Sequence, residues 1–505
     1  MSGDVGLLAG ERADLRLLLP AVAAWATAYF ALGWSPRVGL AAALTLCGIG
    51  VAGALGWRRA WALTLAGAAL CAAGSAAAVA WRSAALQRGP LPVLAHARAK
   101  VSLELVIGDD PRLLSVAGPH GGSRSTVIFS AKAVAVTPEG GATTAIRSPV
   151  FALASGRGWL DLQPSQHVLA SGRLGVPQPG EFETATFDAT GPPTSIGPPS
   201  PPQRLAGVVR SGLRAATAPL PVGPGGLLPG LVDGDTSRLP PDVAADFKTT
   251  GLTHLVAVSG ANVAIVLGAV LLVARWVGLR SRGQAAAGAL AIVMFVVVAR
   301  PQPSVLRAAA MGLVVVLALV TGRRRRALPA LLAAVLALVY LDPTLARSVG
   351  FVLSVLATGA LLVVAPPLRE LFARRLPRWL AESLAVPTAA TLVCSPVIAS
   401  FAGQVSLAAV PANLLAEPAV APATILGVVT ACVAPWWTTG AQWIARVAAL
   451  PCAWLVWVAR TFARLPGAAV TWPTGIAGAV DLALVVLLFV YALRLLTRAR
   501  HDGGA

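Results

Sequence analysis

The sequence predicts a polytopic α-helical membrane protein of about 11–12 spans that carries one small β domain. Hydrophobic residues make up 56% of the chain and charged residues only 12%, whereas soluble domains are about 25% charged. Apolar runs long enough to cross about 30 Å of hydrocarbon recur along the chain. Residues 82–204 interrupt them with eleven Lys or Arg and eight Asp or Glu. A soluble domain therefore interrupts the membrane helices.

Residues 1–81 are predicted to form a three-helix membrane anchor. Apolar runs at residues 17–33, 38–56 and 60–81 are rich in Ala, Gly and Leu, as packed membrane helices are. The first run leads into Trp-Ser-Pro-Arg at residues 34–37 instead of a small-residue cleavage site. It is therefore expected to remain as an anchor.

Residues 82–204 are predicted to fold as a β barrel of the OB type. Short β-prone runs bounded by turn residues lie at 101–107, 125–136, 150–154, 168–174 and 182–187. Five short strands in about a hundred residues suit such a barrel. Five aromatic residues could stack on bases or fill the core: Phe129, Phe151, Trp159, Phe182 and Phe187.

Residues 205–253 are predicted to form interfacial amphipathic helices, with a Gly/Pro-rich turn at 221–229. Arg210 and Arg214 are four residues apart and share one helix face. Residues 254–495 then form the main transmembrane domain, followed by a tail at 496–505. Its apolar runs are 254–276, 284–298, 305–320, 327–341, 349–366, 380–401, 407–433, 444–458 and 476–493. Three prolines within 407–433 predict a broken or re-entrant segment.

The net charge of +19 is explained by the topology of the loops. Lys and Arg collect in cytoplasmic loops, and an inside N-terminus places Arg59, Arg280 and the arginines at 323–326 inside. The same alternation places residues 82–204 outside. The sequence thus predicts a protein of the cytoplasmic membrane with an exoplasmic β domain.

Motifs for catalysis and cofactor binding are missing from the sequence. There is no phosphate-binding Gly-x-x-x-x-Gly-Lys loop and no Gly-x-Ser-x-Gly elbow. The five histidines are dispersed and the five cysteines lie in apolar runs. We therefore expect neither an enzyme nor a metal or cofactor site. An intramembrane hydrolase built on Ser259 and His254 is disfavoured, since on a straight helix they point about 140° apart.

Polar residues inside apolar runs are the candidate functional residues, because they are costly in hydrocarbon. His254, Ser259 and Asn262 lie in one polar stretch. Ser259 and Asn262 share a helix face and could line a water-filled path or bond a neighbouring helix. Arg307, just inside a span, could contact a phosphate or extend to the interface.

Two pairs of polar residues complete the set. Asn413 and Glu417 are four residues apart in the proline-containing segment and could form a pathway or a structural pair. Asp233 and Asp235 flank a glycine. They could bind a cation, or they could belong to a solvated turn or helix cap.

Several motifs resemble those of the ComEC family of competence proteins, the inner-membrane channels for incoming DNA. The most specific stretch runs from residue 230 to 263. It contains Gly-Leu-Val-Asp-Gly-Asp at 230–235, Thr-Gly-Leu at 250–252 and His-Leu-Val-Ala-Val-Ser-Gly at 254–260. Further matches are Arg-Ala-Ala at 307–309, Asp-Pro at 342–343 and Pro-Ala-Asn-Leu-Leu-Ala-Glu-Pro at 411–418.

The resemblance implies that the protein passes single-stranded DNA into the cytoplasm during natural transformation. It also implies a DNA receptor and a cytoplasmic helicase or motor protein as partners, besides the lipid bilayer. The path candidates are then Asp233, Asp235, His254, Ser259, Asn262, Arg307, Asn413 and Glu417. A small-solute or lipid transporter on the same scaffold is the alternative.

Two departures from the family pattern affect this interpretation. The family often has His where this chain has Asn262. Many members also continue into a metallo-β-lactamase-like domain, whereas this chain stops at Ala505 without it. We therefore expect a separate nuclease to degrade one strand, if that step occurs.

Overall fold

A computed structural model describes residues 15–56, 59–117, 123–177, 182–195, 197–256, 258–300, 303–321 and 327–502. Their contacts form two compact units. One comprises Arg16–Val208 with Val335–Ser348, and the other mainly Val209–Ala334 with Val349–Ala505. The arginines predicted inside at 323–326 lie outside the described residues.

Three helices open the first unit, as the sequence predicts: α1 (Leu18–Ala31), α2 (Pro36–Gly56) and α3 (Ala60–Leu86). Small residues let them pack closely, since a Cβ on Gly50 would lie 2.8 Å from the Leu70 side chain. The segment Val335–Ser348 belongs to the same unit. Trp25 Nε1 donates to the carbonyl of Ala346 at 2.9 Å, and the Tyr340 hydroxyl to that of Cys71 at 2.9 Å.

The β domain follows the short helix α4 (Leu91–His96) and has seven strands. They are β1 (Lys100–Ile107), β2 (Arg112–Ala117), β3 (Ser123–Pro138), β4 (Thr144–Ala154), β5 (His167–Gly175), β6 (Ala185–Ala189) and β7 (Thr194–Ser195). Strands pair in the order β1-β3-β4-β6-β5, and β5 pairs back with β1, so five strands close into a barrel. The β4–β6 pair is parallel and the other pairs are antiparallel. This arrangement confirms the OB-like prediction.

The barrel core explains where the aromatic residues lie. Burial alternates along β1 and β5, as expected for strands with one face inward. Phe129, Trp159 and Phe187 are buried, and Phe129 stacks on Trp159 with ring centroids 5.3 Å apart. These three fill the core and cannot be base-stacking platforms. Phe151 and Phe182 are half-buried.

Helices dominate the rest of the chain. They are α5 (Pro201–Thr217), α6 (Val222–Asp233), α7 (Pro241–Thr249), α8 (Thr253–Val256), α9 (Gly260–Trp276), α10 (Ser281–Ala299), α11 (Pro303–Thr321), α12 (Ala327–Leu341), α13 (Val349–Val363), α14 (Ala365–Ala373), α15 (Arg378–Ala402), α16 (Ala409–Val433), α17 (Thr438–Ala463) and α18 (Gly475–Asp502). Two short strands, β8 (Gln404–Ser406) and β9 (Ala469–Thr471), pair with each other.

The described helices include six that are long and apolar enough to cross a membrane: α2, α3, α10, α15, α16 and α17. Helices α13 and α14 form a further candidate span that is bent by 44°. Shorter apolar stretches are Leu18–Ala31, Gly260–Trp276, Val305–Leu317, Ala327–Leu341 and Gly475–Leu488. The protein is therefore a polytopic α-helical membrane protein, as predicted.

Two local predictions are wrong. Residues 409–433 form one continuous helix with Pro418 and Pro422 inside it, because neighbouring helices make such prolines tolerable in membrane helices. The Gly/Pro-rich turn predicted at 221–229 is helix α6, whose residues from Pro224 onward are all buried. There the glycines permit close approach to neighbours, and Leu227 and Leu228 fill the core of the unit.

Candidate functional site

Helix α6 is the scaffold of the site. A Cβ on Gly230 would lie 2.5 Å from the carbonyl oxygen of Val256, so only glycine permits this approach to α8. A Cβ on Gly427 of α16 would likewise lie 2.5 Å from Val232 Cγ2. Gly234, with φ of 79°, ends the helix in the left-handed conformation. Tight packing thus fixes the position of Asp233 at the end of α6.

Asp233 is 2% exposed and faces Arg210 of α5. Arg210 Nε lies 3.9 Å from Asp233 Oδ2, and Nη1 donates to the backbone carbonyls of Asp233 at 2.6 Å and Val298 at 3.1 Å. Burial raises the pKa of Asp233 above its ordinary value, and the charge of Arg210 opposes that rise. The pair ties α5 to the ends of α6 and α10.

Asp235 makes a second ion pair just beyond α6. Its Oδ2 accepts from Arg214 Nε at 2.7 Å, and its Oδ1 accepts from the backbone N–H of Ser237 at 3.1 Å. Burial alone would raise the pKa of Asp235, but the Ser237 hydrogen bonds and the Arg214 charge outweigh it and hold the pKa below its ordinary value. Both aspartates thus have an arginine partner on α5, and neither has a cation-site geometry.

Ser259 and Asn262 begin α9. Ser259 is the N-cap, and its hydroxyl accepts from the Asn262 N–H at 3.4 Å and donates to Asn262 Oδ1 at 3.1 Å. Asn262 is fully buried, and its Nδ2 donates to the carbonyl of Leu231 at 2.9 Å. Of the two interpretations of this pair, the geometry favours a hydrogen bond to a neighbouring helix, here α6.

Arg307 lies in α11, two helices further along the chain. It is only 6% exposed, and it donates from Nε to Ser354 Oγ at 2.7 Å and from Nη1 to Thr358 Oγ1 at 2.9 Å. Its Nη2 lies 2.5 Å from the position that a Cβ on Gly260 would occupy. The guanidinium therefore points inward, between α9 and α13, instead of extending to the interface.

The other candidates do not join this group. His254 is exposed, with Nδ1 3.3 Å from the carbonyl of Gly251. Asn413 Nδ2 donates to Ala409 in its own helix at 2.8 Å, and Glu417 is exposed. Among the described residues no hydrogen bond joins Asn413 to Glu417, because the amide is bonded one turn backward. Nor do three or more described His, Cys, Asp or Glu residues cluster as metal ligands.

The remaining residues form a buried polar chain through one unit. Hydrogen bonds join Arg210 to the carbonyl of Asp233, Asn262 to that of Leu231, and Arg307 to Ser354. The first two bonds are connected through the backbone of α6, and Arg307 lies beside Gly260, two residues before Asn262, without a hydrogen bond to it. The buried polar chain therefore links α5, α6, α9, α11 and α13. Arg210 and Arg214 were not among the site residues predicted from the sequence. The available signal for them was their four-residue spacing, which places both side chains on the face of α5 that is opposite the two aspartates.

Comparison with known families decides the identity of the chain. The family model for competence proteins matches residues 231–498, more than half of the sequence. The chain belongs to the competence protein family. No curated protein and no solved structure matches it.

The match confirms the resemblance to ComEC-type competence proteins. It begins at Leu231, whose carbonyl receives the Asn262 hydrogen bond, and includes Asp233, Asn262, Arg307 and Ser354. Most of the buried polar chain of this competence protein therefore lies within the family region. Arg210 and Arg214 precede it.

Proposed function

We propose that this competence protein passes one DNA strand across the cytoplasmic membrane into the cytoplasm during natural transformation. Membership of the family supports a role in competence. The observation that carries the proposal is the buried polar chain that involves five helices of one unit. Polar groups in membrane helices are costly unless they serve a path or a partner.

The β barrel would lie outside the membrane and receive the strand. Barrels of this type bind single strands with a basic groove and aromatic platforms. Lys100 and Arg173 are directly opposite each other on β1 and β5, and both are exposed. Phe151 is half-buried on β4 and is available for stacking, unlike the core aromatics. These features support binding of the phosphate backbone at the barrel surface.

Partners would supply the remaining steps. A DNA receptor would deliver the strand to the barrel, and a cytoplasmic helicase or motor would draw it in. The chain itself would act as a channel. If one strand is degraded during uptake, a separate nuclease would carry out that step.

Transport would require a different arrangement of these helices. Asn262 and Arg307 are almost fully buried and bonded to protein groups, so the chain of polar groups is closed to a strand. Helix shifts that separate α9 from α6 and α11 would open it. The hydrogen bonds of Asn262 and Arg307 would then be replaced by contacts with water and phosphate.

Uptake of fluorescent DNA tests this function. A strain that lacks the gene should bind labelled DNA at its surface but should not internalise it, and the full-length gene should restore internalisation. Normal uptake by the deletion strain would contradict the proposal.

A small-solute or lipid transporter is the second candidate. One observation favours it: a cavity of about 710 Å³ lies beside α9 and α10, lined by apolar Leu271 and Leu272 together with Arg275 and Gln284. An amphiphile could lie there. Binding of single-stranded DNA that weakens steeply with salt would favour the channel, since it reports neutralised phosphates. A transporter predicts no such slope.

A further inference from the structure

Arg307 is a buried cation whose partners among the described residues are all neutral. Among the described residues it contacts Ser354 Oγ at 2.7 Å, Thr358 Oγ1 at 2.9 Å and Met311 Sδ at 3.3 Å. None of these carries a charge. The desolvation of an unpaired guanidinium costs several kcal/mol. The presence of Arg307 in the interior of the unit therefore needs an explanation.

A second positive element faces the same guanidinium. Gly260 is the first residue of α9, which is 17 residues long, and the absent Cβ of Gly260 would lie 2.5 Å from Arg307 Nη2. The N-terminus of a helix carries about half a positive charge and N–H groups without intrahelical acceptors, of which the N–H of Asn262 is capped by Ser259 here. Two like charges thus meet where the dielectric constant is low.

The carboxylates that the structure describes in this unit lie elsewhere. The described acids Asp233 and Asp235 bind Arg210 and Arg214. Most of the remaining acids either pair with another arginine or are exposed: Asp242 and Asp246 contact Arg460, Glu382 contacts Arg369, and Glu370, Glu417 and Asp481 are exposed. No described acid contacts Arg307. The charge at the α9–α11 junction is therefore uncompensated by described protein groups.

We propose that Arg307, Ser354 and the N-terminus of α9 form an anion site that takes one phosphodiester group. The fork of a guanidinium suits an oxyanion, and no described residue accepts from Nη2. The Thr358 hydroxyl donates to the carbonyl of Ser354, which leaves the Ser354 hydroxyl as a further donor. Helix N-termini bind phosphate readily. The choice of a phosphodiester rests on the proposed function.

Gly260 lets the Nη2 end of Arg307 lie against the first turn of α9. With any larger residue, the Cβ would displace the Nη2 end of Arg307. Gly260→Ala therefore keeps both charges but moves the donor away from α9. It provides a test that does not remove the buried cation.

The test uses the full-length protein in maltoside micelles, which contain no phosphate, with dimethyl phosphate as the probe. Binding to the folded state raises Tm with probe concentration. We expect a rise of a few degrees for the wild type, none for Arg307→Gln, and about tenfold weaker binding for Gly260→Ala. Arg282→Gln removes the same charge at an exposed position of α10 and should behave as the wild type.

Two results would overturn the anion site. One is an equal rise of wild-type Tm with sodium chloride at the same ionic strength. The other is an equal response of the Arg307→Gln and Arg282→Gln proteins. If Arg307→Gln fails to fold, the comparison of the wild type with Gly260→Ala decides, and equal affinity contradicts the site.

A translocating strand and a phospholipid headgroup both carry phosphodiesters. A short (dT) oligonucleotide and a short-chain phosphatidylglycerol therefore form two further arms, each measured on the wild type and on Arg307→Gln. Tighter binding of the oligonucleotide that is lost in Arg307→Gln supports the strand. Tighter binding of the lipid overturns that assignment. If the binding test contradicts the anion site but DNA uptake still depends on the gene, the proposed function stands. If dimethyl phosphate binds at the site but the gene is dispensable for DNA uptake, only the proposed function is contradicted.

Discussion

Asn262 donates from Nδ2 to the carbonyl of Leu231 at 2.9 Å, across the contact between α9 and α6. This carbonyl lies in the last turn of α6, where carbonyls have no intrahelical donor. The buried amide therefore completes the end of the helix that positions Asp233. Loss of the Asn262 amide should first lower the stability of the protein and second displace the Asp233–Arg210 ion pair.

Asn262→Leu should lower the free energy of unfolding by about 1–3 kcal/mol, since it leaves a buried carbonyl without a donor. Ser259→Ala serves as the control because it removes the N-cap, worth about 1 kcal/mol, and the hydrogen bond to Asn262 Oδ1, but leaves the Asn262 bond to Leu231. Thermal unfolding in detergent, followed by tryptophan fluorescence, ranks the two variants. A larger loss for Ser259→Ala would show that the Leu231 bond is unimportant.

Asp233→Asn should be more destabilising, by about 3–5 kcal/mol, because it removes the carboxylate from a buried arginine. Asp242→Asn is the matched control, since Asp242 pairs with Arg460 at the surface, where ion pairs contribute little. The same melting measurement applies. Equal Tm values for the two proteins would contradict the structural role of the Arg210 pair.

Gly230→Ala should prevent close packing of α6 on α8. Alanine is about 1 kcal/mol better than glycine within a helix, but here its Cβ would meet a backbone oxygen at 2.5 Å. Gly268→Ala in α9 meets nothing within 4 Å and should be neutral or stabilising. Expression yield and Tm of both proteins test this difference, and a stable Gly230→Ala protein would contradict it.

Phe129→Ala and Phe151→Ala should separate folding from binding in the barrel. Phe129 is 1% exposed, so its truncation should cost about 3–5 kcal/mol. Phe151→Ala should leave folding intact and weaken binding of single-stranded DNA by about 1–3 kcal/mol per stacked base. Fluorescence anisotropy with a labelled (dT) oligonucleotide measures this effect. Unchanged affinity would exclude Phe151 as a platform.

The strands of the barrel were predictable because alternation along a half-buried strand is a strong local signal. The run at 125–136 became Ser123–Pro138, and that at 168–174 became His167–Gly175. The pairing of β5 with β1, which closes the barrel, was not predictable from the strand pattern because it depends on the fold as a whole. The same alternation could have placed Phe129 and Phe187 inside, since both lie at inward positions.

The candidate site was less predictable. Helix α6 was mistaken for a turn because Gly and Pro are rare in soluble helices, whereas a helix buried on all sides uses glycine for close approach. Asn413 and Glu417 have helical spacing for a contact, yet the Asn413 amide bonds the carbonyl one turn back. Pairs such as Arg210 with Asp233 depend on the angle between two helices, which spacing cannot reveal.

The return of residues 335–348 to the N-terminal helices has a consequence for biosynthesis. Tyr340 reaches Cys71 across 269 residues of sequence, and Ala346 reaches Trp25 across 321. At ribosomal rates of about 5–20 residues per second, the first helices wait on the order of 10–60 s for these contacts. Nascent chains arrested before residue 335 should therefore expose α1 and α3 to membrane chaperones and proteases, and the N-terminal unit becomes complete only when most of the protein has been made.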